Sequence, residues 1–407
     1  MNRLNKGRRP DPPNPTSRTK GVSPGETIYS SNFFIASLSN FFFFTSVNAF
    51  SLLPLYIKSL GGSESQIGGI MGTYSLTAIL SQPFAGALAD RFGRKRFLLL
   101  GSALGILASV GFAFSTRLGI QFFLLRLLQG VGFSAFYVSN LTLVADIVPQ
   151  SRRGQAVGLF GISGLITIAL SPALGEQLIH SAGYSTFFQA AAAAAAAGLL
   201  TSLAFRDPTT TRVGAAFGLV SLIPSTRLLP PVLLSLVFGL CSGTVFVFLP
   251  TYAMQVGLPR VGAFYIAYSA AAIFIRLTFG SLSDRRGRRH AILPALLVMA
   301  LGSLWLIWLS NPAVLVGIGV LTGMAHGLLF PALSAYVIDL AEPKERGRAL
   351  GAYTTALLLG STVASFVFGV VAEHFGYPPI FLAASGIAIA AFVGFQRHGR
   401  GKALWSR

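Results

Sequence analysis

Apolar residues in this chain fall in long unbroken runs, not in the alternation or narrow stripes that build a soluble domain. Runs of about 20 residues, the length needed to cross a hydrocarbon core, lie near 33–57, 66–88, 97–115, 119–142, 156–179 and 184–205. A second set lies near 229–254, 261–281, 291–309, 313–338, 350–372 and 377–395. A helix satisfies its own backbone in lipid, so each run is predicted to be a helix. The pattern predicts an all-α membrane protein with twelve transmembrane helices.

The two sets share one plan. Gly86-Ala-Leu-Ala-Asp90-Arg91-Phe-Gly93-Arg94-Lys95-Arg96 returns 194 positions later as Gly280-Ser-Leu-Ser-Asp284-Arg285-Arg286-Gly287-Arg288-Arg289-His290. A second pair, Asp146…Arg153-Gly154 and Asp339…Arg346-Gly347, is displaced by 193, as are Gly183-Tyr184 and Gly376-Tyr377. Duplicated halves with a charged turn at one fixed place are the layout of a secondary transporter.

Composition changes the picture little, and charge adds an orientation. Hydrophobic residues make up 53% of the 407 and charged residues only 11%, far below the roughly 25% charged residues of a soluble chain. The net charge of +19 would suit a nucleic-acid partner if the cations were clustered on one surface. They follow topology instead. The amino tail, the even-numbered loops and the carboxyl tail hold 26 of the 31 Lys and Arg, and the odd-numbered loops hold Lys58, Arg117 and Arg260. Basic loops stay inside, so both termini are expected in the cytoplasm, in a plasma or bacterial inner membrane.

The non-membrane parts are an amino tail over 1–31, a linker over 206–228 and a carboxyl tail over 397–407. They bracket two halves over 32–205 and 229–396. The amino tail is rich in Pro, Ser and basic residues and is predicted to be disordered in the cytoplasm. It lacks the apolar core of a removed signal peptide. In the linker, 213–223 is apolar but too short to span, and either lies along the cytoplasmic face or simply connects. The single Cys241 excludes disulfides and cysteine-ligated metal clusters.

With its Gly-x-Leu-x-Asp-Arg-x-Gly-Arg core occurring twice at a cytoplasmic turn, the chain resembles the major facilitator superfamily over about residues 32–396. The resemblance implies two six-helix bundles around a central cavity, with alternating access by rocking of the halves. It also implies a conformational latch at the turns, carried here by Gly86, Asp90, Arg91, Gly93 and Arg94, and by Gly280, Asp284, Arg285, Gly287 and Arg288. The residues themselves fit such a role. Glycine lets a helix approach closely or reverse tightly, and an acid near a helix end caps a neighbour or pairs with arginine. The plainer alternative makes these loops topology anchors, which explains the cations but not the spaced Gly and Asp.

Arg126-Leu-Leu-Gln129-Gly130-Val-Gly132 places a cation deep in the fourth span, where an isolated charge costs several kcal/mol. It resembles the Arg-x-x-Gln-Gly-x-Gly pattern of drug/proton antiporters, in which the arginine serves proton coupling or substrate contact; otherwise it is structural. Ser171-Pro172 stands where those antiporters carry Gly-Pro, a departure that weakens the drug label. Arg276 in the eighth span, Glu176 in the fifth and His326 in the tenth are further candidates for proton coupling or for the solute cavity. In the resembled fold spans 1, 4, 7 and 10 line that cavity, and here they offer Asn40, Asn48, Gln129, Tyr137, Asn140, Tyr252 and Tyr336 as well. The first span carries no acid from Asn32 to Tyr56, so a coupling carboxylate common there in proton-coupled members is missing.

No intramembrane acid pair, His-x-x-x-His or phosphate-cradling loop occurs, which argues against an enzyme, a metal centre or any cofactor. The expected partners are a small organic solute, protons and the lipid bilayer, with no nucleic acid and a monomeric state. Proton-coupled efflux is the leading expectation. Uptake or facilitated diffusion of a sugar-like or organic-acid solute is the alternative within transport, and a membrane receptor or sensor the alternative outside it.

Overall fold

The computed structural model of the protein describes residues 30–148, 153–205, 226–280, 283, 286–342 and 345–398. The predicted tails, most of the linker, Asp284 and Arg285 lie outside the described residues. Within them every regular element is helical. The first apolar run forms α1 (Ser31–Ala49) and α2 (Leu53–Ser59), joined by a 3-10 turn over Phe50–Leu52. There follow α3 (Glu64–Phe92), α4 (Arg94–Phe114), α5 (Ile120–Ile147) and α6 (Arg153–Leu203). After the linker come α7 (Leu229–Gln255), α8 (Gly262–Phe279), α9 (Arg288–Trp305), α10 (Pro312–Leu340), α11 (Arg346–Phe375) and α12 (Pro378–His398).

Ten of the described helical segments are long and apolar enough to cross a membrane, fewer than the twelve runs expected. Two features account for the difference. The fifth and sixth runs form two helical stretches within α6, whose apolar part, Phe160–Leu203, has 44 residues, about twice one crossing. Its regularity breaks at Gly183, with φ 80° and ψ 175°. The second run, α3, carries Glu64, Asp90, Arg91 and many small polar residues, and is too polar to count by composition.

Helix ends follow local chemistry. Ser63 caps α3 and its partner Gln66 returns to the Ser63 backbone, a reciprocal capping box. Gly93 (φ 104°) separates α3 from α4, and Gly287 (φ 86°) stands at the repeat-related place before α9. Every positive-φ residue among those described is glycine, because a side chain is strained there. Large apolar side chains such as Phe34, Phe114, Ile120, Leu277 and Phe375 project outward, where lipid is their natural solvent.

Close backbone approach holds the helices together. A Cβ on Gly239 of α7 would lie 1.9 Å from the Leu357 carbonyl of α11, and one on Gly360 would lie 2.0 Å from the Leu236 carbonyl of α7. Between the first and second sets, α3 packs along α11 and α6 along α8. At the first of these seams a Cβ on Gly68 would stand 2.1 Å from the Ser365 carbonyl. Small residues at such contacts do in lipid what hydrophobic burial does in water.

Candidate functional site: two buried arginines among aromatic rings

At the two charged turns the described contacts stay inside one half. Arg94 bonds Asp90 at 3.4 Å, the Thr142 carbonyl at 3.2 Å and the Asp146 carboxylate. Lys95 donates to the Leu203 and Phe205 carbonyls, both at 2.7 Å. Arg288 grips Asp339 through Nε and Nη2, at 2.6 and 3.3 Å, and reaches Ser283 at 3.0 Å. Gly86 faces Val138 of α5 at ordinary contact distance, and Arg91 lies over the Phe92 ring. Asp146 and Asp339 therefore pair with the turn arginines, a role the repeat in the sequence could have signalled.

Deeper in the membrane, Arg126 is 4% exposed. Its Nη1 donates to Gln129 at 2.9 Å, one residue turn along α5, and its Nη2 meets the Met71 sulfur at 3.6 Å. The guanidinium sits 4.5 Å from the Tyr74 ring centre, within cation–π range. Its Nε is buried with no partner. A small pocket opens here between Phe43, Val47, Tyr74 and Phe133. Tyr137 stacks on Phe133 with centroids 5.2 Å apart.

The asparagines expected on this wall hydrogen-bond between helices. Asn40 donates to Ser163 at 2.8 Å and Asn48 to Thr167 at 2.8 Å, tying α1 to α6. Asn140 of α5 donates to the Ala36 carbonyl at 3.3 Å. Tyr252 packs on Tyr377 and Phe381, and Tyr336 on Phe395, so the structure places both among α12 contacts and not beside Arg126.

Across the seam, Arg276 of α8 lies 5.7 Å from the Phe330 ring centre, with its Nε unpaired. Its Nη1 is 3.2 Å from where a Cβ of Gly161 on α6 would stand, so the guanidinium faces the other half. His326 is set among Phe238, Tyr268 and Phe330 at 5.3, 5.5 and 5.6 Å, with its Nδ1 unpaired. Sequence reasoning passed over Tyr74, Phe133, Tyr268 and Phe330, which form the walls around both arginines.

Glu176 stands elsewhere. It accepts from the Val261 backbone N–H and, at 2.9 Å, from that of Gly262, at the start of α8. A carboxylate is well placed there, because the first amides of a helix lack internal partners and carry the positive end of its dipole. Glu373 of α11 does the same for α3, accepting from Ser63 Oγ at 2.8 Å and Ser65 N–H at 3.0 Å. Glu64 accepts from Lys58 and from Tyr377 at 3.1 Å. No group of three or more metal-ligating side chains occurs among the described residues.

Comparison with known proteins bears on the family and the fold. The model of the Major Facilitator Superfamily matches residues 33–277 and 258–400. A staphylopine export protein of Staphylococcus aureus (strain Mu50 / ATCC 700699) is 22% identical over 86% of this chain and 92% of its own. An uncharacterised MFS-type transporter of Burkholderia pseudomallei (strain 1106a) is 28% identical over 86% and 88%. Among solved structures, the nucleoside transporter NupG shares the fold with a TM-score of 0.74 at 14% identity, over 90% of this chain and 99% of that one. The human organic anion transporter MFSD10 (TETRAN) does so with 0.68 at 20%, over 89% and 98%. This multi-pass membrane protein belongs to the Major Facilitator Superfamily, a family of transporters and not of enzymes.

Proposed function

We propose that the protein is a secondary active transporter that exports a small organic solute by alternating access, driven by proton entry. The observation that carries this reading is Arg126, a buried cation with an open Nε. It stands at an aromatic pocket lined by Phe43, Val47, Tyr74, Gln129 and Phe133, with no carboxylate among the described lining residues. A cation so placed needs a partner that comes and goes, and a solute bearing a negative or acceptor group supplies one.

The working unit is a monomer with twelve crossings, counting α3 once and dividing α6 at Gly183. They form bundles over 32–205 and 229–396 around the cavity, joined by the cytoplasmic linker 206–228, with both termini on the cytoplasmic side of a bacterial inner or plasma membrane. The Glu176 and Glu373 contacts seal the outer end, leaving a conformation that loads from the cytoplasm. When the inner end closes in its turn, the turns at Gly86–Arg94 and Gly280–Arg288 exchange partners across the halves as a latch through Asp90 and Asp284. Protonation of Glu176 from outside removes the charge that the Val261 and Gly262 amides hold. The groups acting on it there are His180, Arg260 and Tyr265. Its release opens the outer end for solute exit, and transfer of the proton through the cavity to the cytoplasm as the carboxylate re-engages those amides completes the exchange of one proton inward for solute outward. The staphylopine exporter among the relatives supports the outward direction.

Facilitated diffusion or uptake is the second reading, favoured by the acid-free α1. Proteoliposomes loaded with a broad solute panel, with and without an imposed proton gradient, decide between them. Gradient-driven export is expected from the parent, and Arg126→Ala should insert and fail. Arg126→Lys should also transport poorly, because it keeps the charge and loses the planar fork. Equal transport by Arg126→Ala and parent removes Arg126 from the site, and indifference of the parent to the gradient leaves facilitated diffusion.

A further inference from the structure

The sequence repeat extends into the cavity. The displacement of 194 carries Tyr74 to Tyr268, and that of 193 carries Gly130, Phe133 and Tyr137 to Gly323, His326 and Phe330. The geometry repeats with the positions. A Cβ on Gly130 would stand 2.6 Å from the Tyr74 carbonyl, and one on Gly323 would stand 2.1 Å from the Tyr268 carbonyl. Tyr74 meets Phe133 edge-on at 5.6 Å and 60°, and Tyr268 meets His326 at 5.5 Å and 64°. Phe133 stacks on Tyr137 at 5.2 Å and 9°, and His326 on Phe330 at 5.6 Å and 10°. Each half thus presents one box of three rings with an arginine against it.

The boxes differ where chemistry enters. Arg126 comes from the helix that carries Phe133, whereas Arg276 comes from the helix that carries Tyr268. The slot filled by a phenyl ring in the first box holds an imidazole in the second. Packing alone needs only the ring, as Phe133 demonstrates, and a buried ring nitrogen without a partner costs stability. The unpaired His326 Nδ1 and Arg276 Nε therefore add acceptor-binding capacity that the fold does not use. Arg276 lies beside His326 and faces α6 of the other half.

Resting on the transport reading above, we propose that Tyr268, His326, Phe330 and Arg276 form a second solute subsite that takes an anionic group. Together with the Arg126 box it selects planar aromatic or heteroaromatic acids carrying an anionic group at each end. The ring of the solute lies against stacked aromatic faces, one acid meets Arg126 and the other meets Arg276 and His326. A solute of this kind bridges the two halves, whereas a monoacid engages one.

Calorimetric binding to the purified full-length protein tests this with two probes, benzoate and benzene-1,4-dicarboxylate. The parent should bind the diacid at least tenfold more tightly than the monoacid. Arg276→Gln should reduce diacid affinity at least tenfold. His326→Phe puts into the second box the ring the first already accepts, so it should fold, and it should reduce diacid affinity at least fivefold. Absence of a diacid preference in the parent, binding of neither probe, or parent-like diacid affinity in both variants overturns the subsite. Gradient-driven export of other panel solutes by a parent without that preference would sink the subsite and leave the transport reading standing. No export of any solute would sink the transport reading itself.

Discussion

Glu176→Gln tests the outer seal with the least disturbance of shape. In the structure both carboxylate oxygens are engaged, one by the Val261 N–H and one by the Gly262 N–H, across the seam between α6 and α8. The side chain is 8% exposed, so water substitutes poorly. Glutamine keeps one acceptor and turns an N–H2 group towards the other amide, losing the charge and one bond. A hydrogen bond to a charged group contributes about 1.5–3 kcal/mol. Water recovers part of the loss once the seam opens, leaving a net shift of about 1.5–2.5 kcal/mol against the sealed state. At 1.4 kcal/mol per tenfold, that moves the equilibrium about 10- to 60-fold towards outward opening. Ala173 offers a reporter, because its Cβ would lie 3.3 Å from a Cβ on Gly262. With cysteine at 173, a membrane-impermeant maleimide should label the Glu176→Gln protein in intact cells at least tenfold faster than the parent background. Native Cys241 is buried and should stay silent. Labelling within twofold of the background would mean that Glu176 does not hold the seam, and the proposed proton release would fall with it.

Three further outcomes follow from the same geometry. Gly68→Ala should speed labelling at 173 and reduce transport without loss of expression, because its Cβ would meet the Ser365 carbonyl at 2.1 Å and the Gly369 Cα at 3.0 Å, backbone that cannot swing aside; parent-like labelling and transport would refute a tight seam there. Asp90→Asn should lower transport at least tenfold with normal membrane insertion, since it weakens the Arg94 contact and the latch proposed for the inner-closed state; unchanged transport would make the turn a topology anchor only. Cysteines replacing the exposed Arg117 and Pro259 should label from outside, and those replacing the exposed Arg96 and Arg286 should not; outside labelling at 96 would reverse the proposed orientation.

The helices were legible because membrane crossing requires length and apolarity together, and the repeat was legible because both halves place glycine and charge at the same turns. Gly93 and Gly287 stand immediately before α4 and α9 as the motif suggests, both at positive φ. The break within α6 was legible too, since Gly183 falls between the fifth and sixth runs and takes a positive φ, as its repeat counterpart Gly376 does. The cavity was half legible. Arg126, Gln129, Arg276 and His326 stand out as polar residues in apolar spans, yet their setting depends on aromatic partners that look like lipid-facing filler. The partners of Asn40 and Asn48 were not legible, for a physical reason. A buried amide in lipid must bond something, and their partners Ser163 and Thr167 lie 123 and 119 residues away, where only the folded chain brings them.

Glu176 was visible as an acid in the fifth span, but its partners are backbone amides, which no side-chain pattern announces. The seal nevertheless follows the repeat. Glu176 lies on the helix preceding Gly183 and reaches the start of α8, while Glu373 lies on α11, ahead of Gly376, and reaches the start of α3. By the 193–194 displacement the fifth span corresponds to α11 and α3 to α8. Each half thus extends one carboxylate to a helix start of the other. The two acids do not occupy matching positions, because Glu373 corresponds to His180 and Glu176 to Gly369. What the duplication preserves is the demand of the helix terminus for a negative charge, and each half met it with a different residue. Their environments differ accordingly, since Glu176 is buried and the contacts of Glu373 are exposed. The buried carboxylate loses more on protonation because water cannot replace its amides, and for that reason the proposed coupling is assigned to Glu176 and not shared equally between the two.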